Sequence, residues 1–393
     1  MFLNISATPT DIVQLLILLL SQWPLCWFLA RDLRPRVSRQ AWGTVAVLLV
    51  IMWIVCGIAF LLQIFAFRTL SVPVVLVRTV TIALELTWST FSVWGITVYA
   101  LYRLFARRRD VPFSSARRTA LRVTATVAAG APVAAIGFGG IIKRTRFHVK
   151  ETDLPVPGLH PDLAGLRIVQ LSDLHVSPFL SVRDCARVVD MANELRADLA
   201  VVTGDIISSI GDPLEASIRE LARLRATAGI LGCHGNHEIY ARCQNRATRL
   251  GRENGIEFLR GQSRQLRFGS GVLNVTGVDF QRSNTKPDYL SGMESEVVTG
   301  ATNLLLSHSP DVFPVAVRKG FHTMLAGHTH GGQVTVEILN QTLNTARVFT
   351  PFVAGLYRID VRSCYVTAGI GTIGVPVRLG APPEISLLRL RPA

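Results

Sequence analysis

The stretch Leu166-Arg-Ile-Val-Gln-Leu-Ser-Asp-Leu-His175 decides the fold of the larger part of this chain. A short, mostly apolar run, Leu166–Leu171, reads as a buried strand, and two metal-ligand types, Asp173 and His175, follow at its carboxyl end. Open α/β sheets present ligands at the carboxyl ends of their strands. Downstream, the same grammar repeats. Asp198–Val202 and Gly229–Gly232 read as further strands, with helical spacing over 182–195, 214–225 and 240–252. Later runs, Val272–Val278, Asn303–Leu306, His322–Leu325 and Tyr365–Gly369, are strand-like with turns between them. Early alternation followed by strand-rich sequence predicts an α/β sandwich with mixed sheets.

Five polar motifs sit at or just after these strand ends. They are Asp173-Leu174-His175, Gly204-Asp205, Gly235-Asn236-His237-Glu238, His308, and Gly327-His328-Thr329-His330-Gly331-Gly332-Gln333. Each motif alone is an ordinary turn or cap. Two imidazoles with glycines on both sides are poor fold material and good ligand material. Five of the nine histidines fall inside the set, which makes chance assembly a poor account of it. Mixed Asp, Asn and His ligation suits borderline divalent ions such as Mn, Fe or Zn. Seven such groups exceed the needs of one ion and fit two ions that share a bridging carboxylate.

In order and spacing the set resembles the calcineurin-like metallophosphoesterase superfamily, over roughly residues 165–390. The tail Pro376–Leu390, with Arg378 and Pro382-Pro-Glu-Ile385, resembles a bacterial membrane-attached branch that includes UDP-2,3-diacylglucosamine pyrophosphatases of lipid A synthesis. The resemblance implies a four-layer α/β/β/α sandwich. It implies that Asp173, His175 and His330 hold one ion, that Asn236, His308 and His328 hold the other, and that Asp205 bridges them. His237 would face the scissile phosphate without ligating metal, and Glu238 would orient it. The implied reaction is attack on phosphorus by a metal-activated hydroxide, with no covalent phosphoenzyme. His234 reads as a strand-end residue beside the site, His322 as structural, and His148 and His160 as surface residues.

The remaining 150 residues are of another kind. The chain has 393 residues, of which 49% are hydrophobic and only 17% charged, too apolar for an ordinary soluble domain. Its net charge of +14 falls almost wholly on residues 1–150, leaving the rest nearly neutral. A nucleic-acid footprint needs a basic face on the globular part, so neither a nuclease nor a nucleic-acid partner is expected. Uncharged or nearly uncharged runs cover 12–30, 40–67, 79–102 (interrupted by Glu85) and, more weakly, 123–142. Each is long enough for a hydrocarbon core of about 30 Å.

Arginines crowd the loops 31–39 and 103–122, which the positive-inside rule keeps in the cytoplasm. The expectation is an α-helical transmembrane anchor of about four helices over 1–146. An extracytoplasmic catalytic domain over 147–393 would then act on a phosphoester substrate, a lipid-linked one among the alternatives, beside the bilayer. Ser115-Ala-Arg-Arg-Thr-Ala-Leu also resembles a twin-arginine export signal, and a fourth run that fails to cross would leave the domain in the cytoplasm. Two other roles compete: a membrane sensor or scaffold with an inactive domain, and a transporter. An intact ligand set speaks against the first, and little internal polarity in the spans against the second. The six cysteines show no metal-ligand spacing, and a disulfide among the last four stays open.

Overall fold

The computed structural model describes residues 138–393 except 283–287, 334, 339–340 and 374–375, together with scattered residues between 31 and 97. The chain divides into two compact units, 1–138 and 139–393, and the second carries all five polar strand-end motifs.

This second unit opens with strands β1 (His148–Val156), β2 (Arg167–Leu171), β3 (Leu199–Thr203), β4 (Ile230–Cys233) and β5 (Ile256–Phe258). It continues with β6 (Gln262–Phe268), β7 (Gly271–Val278), β8 (Thr302–Ser307) and β9 (Thr323–Ala326). A hairpin, β10 (Thr335–Ile338) and β11 (Gln341–Asn344), precedes β12 (Gly355–Ile359), β13 (Arg362–Val366) and β14 (Glu384–Pro392). One six-stranded sheet has the order β1-β14-β2-β3-β4-β5 and the other the order β12-β13-β9-β8-β7-β6. Both are mixed: β2 to β5 run parallel while β14 joins β2 antiparallel, and β7, β8, β9 and β13 run parallel between antiparallel edges.

Side chains alternate across each strand, so each sheet feeds two cores. Val169, Leu171, Ala200 and Val202 face helices α1 (Val182–Glu194) and α2 (Leu214–Leu221). Ile168, Leu199, Val201 and Leu231 face Leu273, Val275, Leu304 and Leu306 of the opposite sheet. On the far side of that second sheet, Leu305, Met324 and Val366 pack under Phe313, Ala316 and Phe321. The layers therefore run helix, sheet, sheet, helix, a mixed α/β sandwich as the sequence pattern predicts. Helix α1 starts where it does because Ser181 and Asp184 form a reciprocal capping box. The helix expected over 240–252 is instead two pieces, α3 (Asn236–Tyr240) and α4 (Gln244–Glu253), broken at Arg242, whose φ is +53°. A fifth helix, α5 (Phe313–Arg318), covers the second sheet.

The expected transmembrane region and the multi-pass, extracytoplasmic placement built on it require correction. Among the described residues no helix is long and apolar enough to cross a membrane. The run 12–30 and Glu85 lie outside the described residues, and the other three runs are described only in part. Hydropathy counts composition, whereas crossing needs about 20 residues in one continuous helix. The described end of the fourth run is a five-residue π-helical turn, Phe138–Ile142. A side chain on Gly139 would strike Val377 and Leu379, so this end lies against the catalytic unit's own tail. Cys185, Cys233, Cys243 and Cys364 are buried free thiols, which closes the disulfide question for them.

Candidate metal centre

The strand ends of β2, β3, β4, β8 and β9 bring the five motifs together. Asp173, His175, Asp205, His308 and His330 are almost fully buried, and Asn236 is 5% exposed. Three clusters have ligand atoms within 4.8 Å of one another: Asp173, His175 and His330; His175, Asp205 and His237; and Asp205, His308 and His328. The first and last are ion-sized, and Asp205 lies where they meet. Its Oδ2 is 3.4 Å from His175 Nε2 and 3.0 Å from His308 Nε2. His330 Nε2 stands 3.4 Å from Asp173 Oδ1. Asn236 is the one sequence-predicted ligand outside these three clusters of Asp and His.

The donors fit divalent ions. Asn236 Oδ1 is buried without a hydrogen-bond partner, an arrangement that is costly unless something else satisfies it. The Nε2 atoms of His175 and His330 lie 3.1 Å apart, two ring nitrogens aimed at one space. His308 Nδ1 is 2.7 Å from the Thr203 carbonyl, to which it donates, and this turns Nε2 toward Asp205.

The local backbone is strained at these positions. Asp173, His175, Asp205, His328 and His330 all have left-handed φ, between +49° and +74°. Each such residue costs on the order of 1–3 kcal/mol and persists only where surrounding contacts hold it. The contacts are visible. Asp173 accepts from the His328 N–H at 2.9 Å. Asp205 Oδ1 accepts from the His237 N–H at 2.8 Å. Gly327 leaves room for a carboxylate, since a Cβ there would lie 2.2 Å from Asp173 Oδ2.

Electrostatics follows from burying two carboxylates among imidazoles. Burial would raise Asp205, but His308 and His237 beside it hold its carboxyl well below the usual range. Asp173 goes the other way: burial lifts it, with the Asp205 charge adding. Burial works against a charged His308, yet Asp205 and Asp173 outweigh it and bring the imidazole up to about 10. Burial pushes His175 and His330 well below their ordinary value and His328 down to about 4. The two carboxylates thus favour a charged imidazole at His308, while burial disfavours charge on His175, His328 and His330.

His237 begins the second turn of this machinery. Its Nδ1 donates to the Ser208 carbonyl at 2.6 Å, so Nε2 is left for the cleft. Sequence reasoning missed Ser208, whose hydroxyl also lies 3.2 Å from His175 Nδ1 and whose N–H is held by Asp212. Only its place three residues after Asp205 could have signalled it. Glu238 does not orient His237. Its carboxylate accepts from the N–H groups of Gly235, Asp205 and Ile206, at 2.8, 3.0 and 2.8 Å, and ties the β4 loop to the β3 loop. Phe280, also missed, puts its ring 5.1 Å from that of His328. His234 turns away from the ligands, bonding Thr248 at 2.8 Å and stacking on Phe258. His322 accepts from the Asn303 N–H, and His160 caps a turn at Asp162.

The model of the calcineurin-like phosphoesterase family matches residues 166–335. The metallophosphoesterase YkuE of Bacillus subtilis is 30% identical over 283 residues, which cover 67% of this chain and 93% of that protein. The chain belongs to the calcineurin-like phosphoesterase family. A zebrafish (Danio rerio) protein named as a transmembrane protein with a metallophosphoesterase domain is 30% identical over 257 residues. That match covers 62% of this chain and 57% of that relative, so the chain spans little more than half of its length. A Campylobacter jejuni metallophosphoesterase, 30% identical over 246 residues, is covered to 63%. Membership implies a phosphoester hydrolase with a metal site, and the Asp and His cluster described above is where a metal could bind.

Proposed function

We propose that the chain is a dinuclear metal-dependent phosphoesterase that hydrolyses a phosphodiester or pyrophosphate bond. In this reading Asp173, His175 and His330 would hold one divalent ion, Asn236, His308 and His328 would hold a second, and Asp205 would be shared between them. The observation that carries it is Asp205 Oδ2, which lies within 3.4 Å of a ring nitrogen from each cluster. The Asp, Asn and His donor set favours Mn, Fe or Zn. When bound, such ions acidify an attacking water toward neutrality and offset charge on the phosphoryl oxygens.

The chain's own residues do the rest. The His237 N–H fixes the Asp205 carboxylate, so the same turn that carries His237 also sets the bridge. With Nδ1 committed to Ser208, His237 presents Nε2 to the phosphoryl group, to stabilise its charge or protonate the departing oxygen. Such a contribution is typically worth ~10²–10⁴-fold. Phe280, against His308 and His328, covers that flank of the cluster with an apolar surface that limits water.

The test is a substrate panel on the full chain, stripped of metal and then given Mn, Zn or Fe. A phosphomonoester, a bis-aryl phosphodiester and a UDP-linked pyrophosphate are compared. Metal-restored turnover of the diester or pyrophosphate above the monoester is expected. Turnover of none of the three, with metal bound, would favour a sensor or scaffold role.

A further inference from the structure

We infer that Arg378 is a positioning residue for one ion of the pair, the one assigned to Asp173, His175 and His330; the inference rests on the dinuclear reading above. Arg378 is the largest fully buried side chain of the described residues, 1% exposed, and no carboxylate lies in hydrogen-bonding contact with it. Its guanidinium donates instead to main-chain oxygens: Nε to Gly371, Nη1 to His330, Ala368 and Ala381, and Nη2 to Gly369 and Gly371. Removing a cation from water for carbonyls alone is unfavourable unless the geometry it enforces matters.

What it enforces is visible on both sides. On one side is a run of four consecutive left-handed residues, His330, Gly331, Gly332 and Gln333, with φ of +52°, +57°, +78° and +50°. Arg378 Nη1 grips the His330 carbonyl at 2.9 Å, and Nη2 stands 3.3 Å from the ring Nδ1. A left-handed run of this kind does not hold itself. On the other side, the Gly369–Gly371 segment is the shelf beneath the β2 loop. Ile370 N–H donates to Ser172 O and Gly371 N–H to Asp173 O, at 3.1 and 2.7 Å. A Cβ on Gly369 would come within 2.7 Å of Asp173 Cβ, and one on Gly371 would strike the Leu174 carbonyl and approach His175 Cβ. One guanidinium therefore sets the distance between the loop bearing His330 and the loop bearing Asp173 and His175. Of the residues assigned to the other ion, Asn236 and His308 are built from other strand ends and His328 lies two residues before His330 on the same loop; no hydrogen bond joins Arg378 to any of the three.

The planar fork is essential to this arrangement, and a lysine cannot reproduce it. Arg378→Lys in the full chain is therefore titrated with Zn and with Mn by calorimetry, beside wild type, His330→Ala and the double variant. Partners that orient metal ligands typically contribute 10–100-fold to affinity. The expected result is one ion weakened by about 10–100-fold, the other within about twofold by the same argument, and no added loss in the His330→Ala background. A general loss of stability would weaken both ions and add to His330→Ala. Equal weakening of both ions, or no change in either, overturns the inference. If wild type itself takes up fewer than two ions, the dinuclear reading fails instead.

Wild-type protein labelled with ¹⁵N-arginine supplies a reading that needs no Arg378 variant to fold. On Zn titration the Arg378 Nε signal should move with one binding event only, the event that His330→Ala abolishes. Movement with the other event, or with neither, overturns the assignment.

Discussion

Glu238→Gln gives a prediction whose size can be worked from contacts. The Glu238 carboxylate accepts three main-chain N–H bonds, two on Oε2 from Gly235 and Asp205 and one on Oε1 from Ile206. A glutamine in the same pose keeps the first two through its single oxygen. Its NH₂ then faces the Ile206 N–H, so one charge-assisted bond is lost and a buried donor is stranded. Bonds to charged groups contribute ~1.5–3 kcal/mol and an unsatisfied buried donor costs ~1–3 kcal/mol, so the expected loss is about 2.5–6 kcal/mol. The assay is urea unfolding of metal-free Glu238→Gln against wild type, with Glu257→Gln as control. Glu257 is half exposed and 3.8 Å from Arg264, and its replacement should change stability by less than about 0.5 kcal/mol. Glu238→Gln unfolding within that same margin would refute the clamp and return Glu238 to a role on His237.

Asp205→Asn should abolish most metal binding and nearly all hydrolysis while leaving the fold intact, because asparagine tolerates the φ of +54° at this position; two bound ions with activity retained would contradict it. His237→Ala should keep its metal and lower kcat by ~10²–10⁴-fold; loss of metal would place His237 among the ligands, as its closeness to His175 and Asp205 allows. The metal-free protein should lose stability as pH falls. Burial holds His175, His234, His328 and His330 below their unfolded value of 6.5, with His234 and His328 near 4, so unfolding takes up protons below pH 6.5. Their stabilising contribution is full above about pH 6.5 and is lost toward pH 4, at about 1.4 kcal/mol per pH unit for each imidazole. Urea midpoints that stay level or rise between pH 7 and 5 would contradict it.

The candidate ligands were more legible in the sequence than what surrounds them. Asp173, His175, Asp205 and His308 could be named because each ends a short apolar strand, and strand order then brings those ends together. The strands β2, β3, β8 and β9 were legible for the same reason, lying within a residue of their expected bounds. β1 and β14 were not, since a charged strand such as His148–Val156 has no apolar run to read, and its pairing with Glu384–Pro392 spans the whole domain. Ser208, Glu238 and Arg378 act through carbonyls and N–H groups that three-dimensional folding alone supplies. The N-terminal runs show the reverse failure. Their apolarity is plain in the sequence, and the described residues contain no helix built to use it as a span.

The central claim is a pair of ions joined through Asp205, and counting and coupling them tests it most directly. The stripped full chain is saturated with Mn(II), and bound metal is measured by mass spectrometry alongside electron paramagnetic resonance. Two ions per chain with an exchange-coupled spectrum are predicted, collapsing to a single uncoupled ion or none in Asp205→Asn. One ion per chain in wild type, or two with independent spectra, would contradict the account.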